Sequence, residues 1–228
     1  MVSSASEAGG TNAKTPIKTI EEVWASNRMT RDEVARYFPA PVTTPRRVEA
    51  PARVLREAEG LTDLPDGLAG WGSADPANRP WLVILGSDAH DAEVVAAATL
   101  TKARCARPSE TAALRRVSDL LAQHDEAPRY GPGNGGSVMA SWAKVDMLAL
   151  SGIGCGYPTA RAVPLLADLL ERRLDDCRCT VVVESEPGRA WLGGLARQGV
   201  APEVLERIKT AIATGTEGRP PIAINPAI

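Results

Sequence analysis

Histidine and single-ring aromatic side chains are scarce in this chain, and its cysteines are thinly spread. Beside five tryptophans there are only three tyrosines and one phenylalanine, too few for the row of stacked rings on which single-stranded nucleic acid is usually held. The histidines are His90 and His124, and the cysteines are Cys105, Cys155, Cys177 and Cys179. No C-x-x-C pair occurs among them, so the closely set ligands of a structural zinc site are missing. Cysteines spaced this way read as free, buried thiols of a reducing compartment. No apolar run nears the ~20 residues that a bilayer-spanning helix needs. Met1–Thr15 is small and polar with no apolar core, which does not suit a signal peptide. A cytoplasmic protein without a membrane partner is expected. Lys and Arg number 26 against 28 Asp and Glu, a formal charge of −2. That balance excludes a global basic footprint for nucleic acid and leaves room only for a local patch.

What is present points to a folded α/β protein. Hydrophobic residues make up 44% of the 228-residue chain and charged residues 24%, the balance of a globular domain rather than a disordered one. The length suffices for one α/β domain with a short appendage. Residues 1–16, rich in Ser, Ala and Gly, read as a disordered tail. Residues 17–46 read as a short helical segment and a Pro-rich linker. Thr30 with Glu33 three residues on has the form of a capping box, and Val34, Tyr37 and Phe38 would share one apolar face. Pro39, Pro41 and Pro45 then end the unit, since an interior proline costs a helix ~3 kcal/mol. The main α/β domain is expected over 47–228, opening with a helix over 47–60 and a turn-rich stretch from Leu64 to Pro80.

Trp81–Leu85 is a short continuous apolar run, and Val145–Leu150 and Thr180–Val183 are two further short, mostly apolar segments that read as buried strands. Runs of this length are the signature of strands buried on both faces, as in a parallel sheet. Helices are expected over Ala92–Arg104, Ser109–Gln123, Ala160–Leu174 (with Pro164 near its start) and Pro202–Ala213. Residues 125–137, DEAPRYGPGNGGS, read as a flexible loop rather than a phosphate cradle, because the glycines do not follow a buried strand. The order strand–helix–helix–strand–helix–strand–helix argues for a three-layer parallel sheet covered on both faces.

Three local segments carry a family likeness. They are KVDMLALSGIG (residues 144–154), LLADLLERRLDDCRCTVVVES (165–185) and LARQGVAPEVLERI (195–208). In order and wording, Trp81 to Ala213 resembles the AAA+ P-loop ATPases that load replicative helicases or assist insertion-sequence transposition. The resemblance implies a P-loop NTPase-type sheet, an ATP site after the first strand, paired acids at the end of a later strand, and an arginine, here Arg207, at a subunit boundary. A working phosphate loop is G-x-x-x-x-G-K-[ST]. Here the place holds Gly86-Ser87-Asp88-Ala89-His90-Asp91-Ala92-Glu93. Of the motif residues only Gly86 is kept: Asp91 stands for the second glycine, Ala92 for the lysine and Glu93 for the hydroxyl residue that holds magnesium. One like-charge pair at 4 Å costs about 4 kcal/mol at an effective dielectric of 20, on the order of a thousandfold in affinity. At the later strand the acids that would hold metal and polarise water are replaced by Ser151 and Gly152. These departures imply no ATP hydrolysis, no catalytic residue, and ATP–magnesium binding that is weak at most.

Two further motifs carry other readings. LGSDAHD (85–91) resembles a late motif of PHP-type metal-dependent phosphoesterases, in which an Asp and a His at this spacing, here Asp88 and His90, bind metal. Such sites need many ligands from separate strands, and the earlier H-x-H of that family is missing. Ser87 or Asp88 capping the next helix, with Asp91 and Glu93 set against its positive end, explains the acidity without metal. MTRDEVARYF (29–38) resembles the first helix of a helix-turn-helix, yet the following PAPVTTPRR is a poor recognition helix. Arg172, Arg173 and Arg178 read as solvated charges, and Asp175-Asp176 as a polar turn. The leading expectation is a non-hydrolysing adaptor that partners a helicase or a competent AAA+ ATPase in replication or transposition. Direct DNA binding and metal-dependent phosphoesterase chemistry are the alternatives.

Overall fold

The computed structural model describes residues 48–65, 67–74, 79–126, 136–153, 162–185 and 188–224. All fall within one compact unit, Pro41–Ile228. The expected tail and helical segment (1–46), residues 127–135 of the expected loop and Cys155 lie outside the described residues.

The elements in chain order are α1 (Ala52–Glu59), β1 (Leu82–Gly86), α2 (Ala89–Ala106), β2 (Ala112–Arg116), α3 (Val117–Glu126), α4 (Gly136–Ala143), β3 (Met147–Ser151), α5 (Val163–Asp175), β4 (Cys179–Glu184), α6 (Gly188–Arg197), α7 (Pro202–Gly215) and β5 (Ile222–Ile224). The five strands form one parallel sheet in the order β2-β3-β4-β1-β5. Side chains alternate between its faces. Met147, Ala149, Val181, Val183 and Ile84 pack with α1 and α2, whereas Leu148, Leu150 and Val182 pack with α3 to α7. A strand covered on both sides has no polar face, which is why β1, β3 and β4 read as unbroken apolar runs. Each buried Val, Leu or Ile contributes about 1.5–3 kcal/mol relative to exposure.

Where the sequence predicts a helix over Ser109–Gln123, the chain forms β2 and then α3 with no breaker between them. Ala112, Ala113 and Leu114 are fully buried, and β2 pairs with β3 along all five of its residues. Tertiary pairing overrides the helix-favouring Ala, Leu and Arg. Both arginines of β2 are held by side chains: Arg115 stacks 4.6 Å from the Trp142 ring centroid and pairs with Glu49, while Arg116 meets Glu93. The helix expected over 47–60 begins only at Ala52, because Glu49 makes a parallel bridge to Ala113 on the outer edge of β2. Glu49 N donates to Ala112 O at 3.0 Å, and Leu114 N donates to Glu49 O at 2.7 Å. α5 starts at Val163 rather than Ala160, with Pro164 in its first turn, where the missing N–H costs nothing. α4, α6 and β5 are additional to the expected order.

The amino edge of the sheet is tied by polar networks. Thr111 N and Oγ1 lie 2.8 and 2.9 Å from Asp146 Oδ2, and Arg178 pairs with Asp146 Oδ1. Arg173 has no exposed surface, so the expectation of a solvated charge fails there. Its guanidinium donates to Thr180 Oγ1 (3.0 Å) and to the carbonyls of Trp142 (3.0 Å), Ala143 (3.2 Å), Val145 (2.6 Å) and Cys179. Three of those oxygens lie at the end of α4, and the Arg173 cation caps that helix. Burial lowers the guanidinium to about 9, so it is still charged at neutral pH. Of the three described thiols only Cys179 is buried, and burial pushes it up to about 12; Cys105 and Cys177 are exposed.

Candidate functional site at the carboxyl edge of the sheet

In open parallel α/β sheets ligands bind in the crevice outside the carboxyl ends of the strands. Here those ends bring together Gly86, Arg116, Ser151 and Glu184, with the first turns of α2 beside them.

The β1–α2 connection is short. α2 begins at Ala89, leaving only Ser87 and Asp88 between it and the strand. Of the two expected caps, Asp88 takes the role: its Oδ1 accepts from His90 N at 2.5 Å, and its carbonyl accepts from Ala92 N at 3.2 Å. His90 N is one of the end N–H groups that would face an anion at a helix N-terminus, and it is spent on the Asp88 side chain, while the Ala92 N bond is the first regular bond of the helix. A Cβ built on Gly86 would lie 2.6 Å from Asp88 O and 2.9 Å from Ala92 Cβ. The glycine is kept by this close packing of strand on helix. There is no arched loop here in which a polyphosphate could sit.

Glu93 departs from the expectation that it is set against the positive end of the helix. It is 2% exposed and accepts from Arg116 Nε at 2.9 Å, Arg116 Nη2 at 3.0 Å and Ser151 Oγ at 2.7 Å. The fork of two parallel N–H···O bonds is the strongest geometry for an arginine–carboxylate pair. Hydrogen bonding to Glu93, with its charge, raises the Arg116 guanidinium above its ordinary value. Arg116 and Ser151 are register partners on β2 and β3 and share one face, while Glu93 reaches them from α2. The residues standing in for the magnesium hydroxyl and for a metal-binding acid are therefore bonded to each other and neutralised by an arginine. The like-charge cost of the acidic loop falls on Asp91, which is exposed in the first turn of α2.

The end of β3 is closed as well. Gly152 has φ +69°, a left-handed conformation in which any other residue is disfavoured. This turn lets Ile153 N donate to the buried Glu184 Oε1 at 2.7 Å. His90 Nε2 lies 2.6 Å from Glu57 Oε2 on α1, and Glu57 also accepts from Arg53 Nε at 2.9 Å. The bonds from Arg53 and His90 hold the Glu57 carboxyl below the usual carboxylate range. Asp88 and His90 thus serve the helix cap and the α1–α2 contact. Among the described residues no group of three or more His, Cys, Asp and Glu is placed to hold a metal. Ser87 and Ala89 are exposed on the connection.

Arg207 lies on α7, away from this edge. Its guanidinium donates to Glu171 through Nε (2.8 Å) and Nη2, and to Asp168 Oδ1 at 2.6 Å, both on α5. These carboxylates raise it further, the Glu171 bond foremost. Donation to a neighbour's nucleotide would first require release of this double pair.

Arg116 and Glu184 escaped the reading of the sequence. Arg116 was hidden inside a predicted helix, and Glu184, although within the 165–185 segment, had no role assigned to it. The usable signal was general: a charged residue closing a buried strand lies at the edge where parallel sheets place function.

The nucleotide and metal that this kind of fold implies do not fit the residues present. Only two residues separate β1 from α2, too few for an arched phosphate loop, and Glu93 and Ser151 are bonded to one another. No protein-family model matches the chain, and a search of curated proteins finds no match. Among solved structures, a crystal structure of DnaI superposes with a TM-score of 0.60 at 16% identity, covering 80% of this chain and 100% of that one. The fold is a parallel α/β sheet of the P-loop NTPase type.

Proposed function

We propose that this chain is a non-hydrolysing AAA+-like protein that acts as an adaptor or partner in helicase loading or a related DNA process such as transposition. The observation that carries the reading is the closed carboxyl edge: the fold of a P-loop NTPase with its loop converted into helix and its metal positions cross-linked as Glu93–Arg116–Ser151. Hydrolysis needs a preorganised cradle for phosphate charge, and here His90 N is taken by Asp88 and the Glu93 and Ser151 side chains are bonded to each other. Likeness of fold to DnaI supports the helicase-loader assignment of the scaffold. The docking role belongs to residues 17–38, whose short amphipathic pattern ahead of a Pro-rich linker suits a partner's groove. No helix among the described residues is long and apolar enough to cross a membrane.

The test is equilibrium binding of labelled ATP with magnesium to the purified chain, run beside a turnover assay. Neither binding in the micromolar range nor turnover is expected. Magnesium-dependent turnover that co-purifies with the chain and is lost on Glu93 substitution would overturn the proposal. A parallel pull-down of a replicative helicase should be lost when residues 1–45 are removed; retention would reassign the docking surface.

A further inference from the structure

We infer that Glu93, Arg116 and Ser151 act as a built-in substitute for the ligand, a clamp that holds the carboxyl ends of β2 and β3 against α2 in one state with nothing bound. The inference rests on the reading above that the site takes no nucleotide, and it concerns what replaces the nucleotide.

In a P-loop switch, phosphate and metal draw the loop, the helix behind it and the strand ends together, and the elements relax when the ligand leaves. Here the helix after β1 and the ends of two neighbouring strands are joined by side chains of the chain itself. Glu93 comes from the second turn of α2, Arg116 from the last position of β2 and Ser151 from the last position of β3. A carboxylate with 2% exposure is tolerated only when paired and hydrogen-bonded. Glu93 meets both conditions, since Arg116 supplies the charge and the fork, and Ser151 donates a further bond to Oε1. The charge sum of Glu93 and Arg116 is zero, so no counter-ion is called for. A magnesium ion would have to displace a guanidinium already held by two bonds. Gly152 and the Ile153–Glu184 bond anchor the strand end beside the clamp. The clamp is thus permanent, and the domain has no nucleotide-dependent second state to move to.

Hydrogen exchange on the full chain tests this, read over residues 87–93, 114–118 and 149–153 with and without millimolar magnesium-ATP. In the wild type all three segments should be protected equally in both conditions. In Arg116→Met all three should exchange together, roughly thirtyfold faster or more, with no recovery on adding nucleotide. Arg116→Lys keeps the charge but not the fork and should recover only part of the protection. A folded Arg116→Met whose 149–153 segment keeps wild-type protection would overturn the clamp. If Arg116→Met unfolds, Ser151→Ala carries the test: it removes one arm, and faster exchange at 87–93 as well as 149–153 is expected, whereas unchanged exchange at 87–93 overturns the idea. Nucleotide that binds the wild type and leaves exchange unchanged would sink the functional reading and spare the clamp. Nucleotide that raises protection would sink both.

Discussion

The two edges of the sheet are both closed by arginine, and they are closed differently. At the amino edge Arg173 is wholly buried and satisfied by carbonyl oxygens and one hydroxyl, with no carboxylate among its hydrogen-bond acceptors. At the carboxyl edge the Arg116 side chain is 52% exposed and its partner Glu93 is the buried member. The first arrangement caps a helix and knits strand starts, as many scaffolds require. The second stands where a parallel sheet ordinarily keeps its binding crevice. In the first the arginine is the buried member and is satisfied by neutral oxygens; in the second the carboxylate is the buried member and is answered by a half-exposed arginine.

Substitutions can break this comparison, beginning with the scaffold. Arg173→Met leaves the carbonyls of Trp142, Ala143, Val145 and Cys179 without this donor inside the core, and should cost about 3–5 kcal/mol. Thermal unfolding should shift down by roughly 10 °C or more, and a shift of only a degree or two would show that water or neighbours replace the cation.

Arg116→Met strips the buried Glu93 of its cation. Denaturant unfolding should report about 2–4 kcal/mol lost, somewhat below a fully buried pair because the guanidinium is already half in water. Glu93→Gln should cost less, since it leaves the arginine free to turn outward. Equal losses from the two substitutions would mean that the exposed partner, not the buried one, sets the cost.

The smallest effect is expected at Arg207, whose pairs are open to solvent. Its hydrogen bonds hold the Glu171 carboxyl below the ordinary value of 4.5. A carboxyl lowered on folding stabilises the fold above its unfolded value and loses that contribution as pH falls through the folded one. Both side chains are more than a third exposed, so the contribution is only a few tenths of a kcal/mol. Arg207→Ala should therefore change stability little at pH 7 and flatten the acid side of the stability–pH curve below about pH 4.5. A loss of several kcal/mol at neutral pH would show that Arg207 does more than pair with Glu171 and Asp168.

The strands buried on both faces were legible in the sequence, because β1, β3 and β4 each show as an apolar run of fixed length. From their spacing with the helices followed the parallel sheet. What the sequence alone could not carry was β2. Ala, Leu and Arg favour helix locally, and only pairing with β3 and the bridge from Glu49 make those residues a strand. With β2 misplaced, Arg116 had no address, and Glu93 looked like a free charge at a helix end. That two charges distant in sequence neutralise each other depends on where the backbone carries them. Residue types can be read one by one, but the bonding of Glu93 to Arg116 and Ser151 is visible only once α2, β2 and β3 are set side by side.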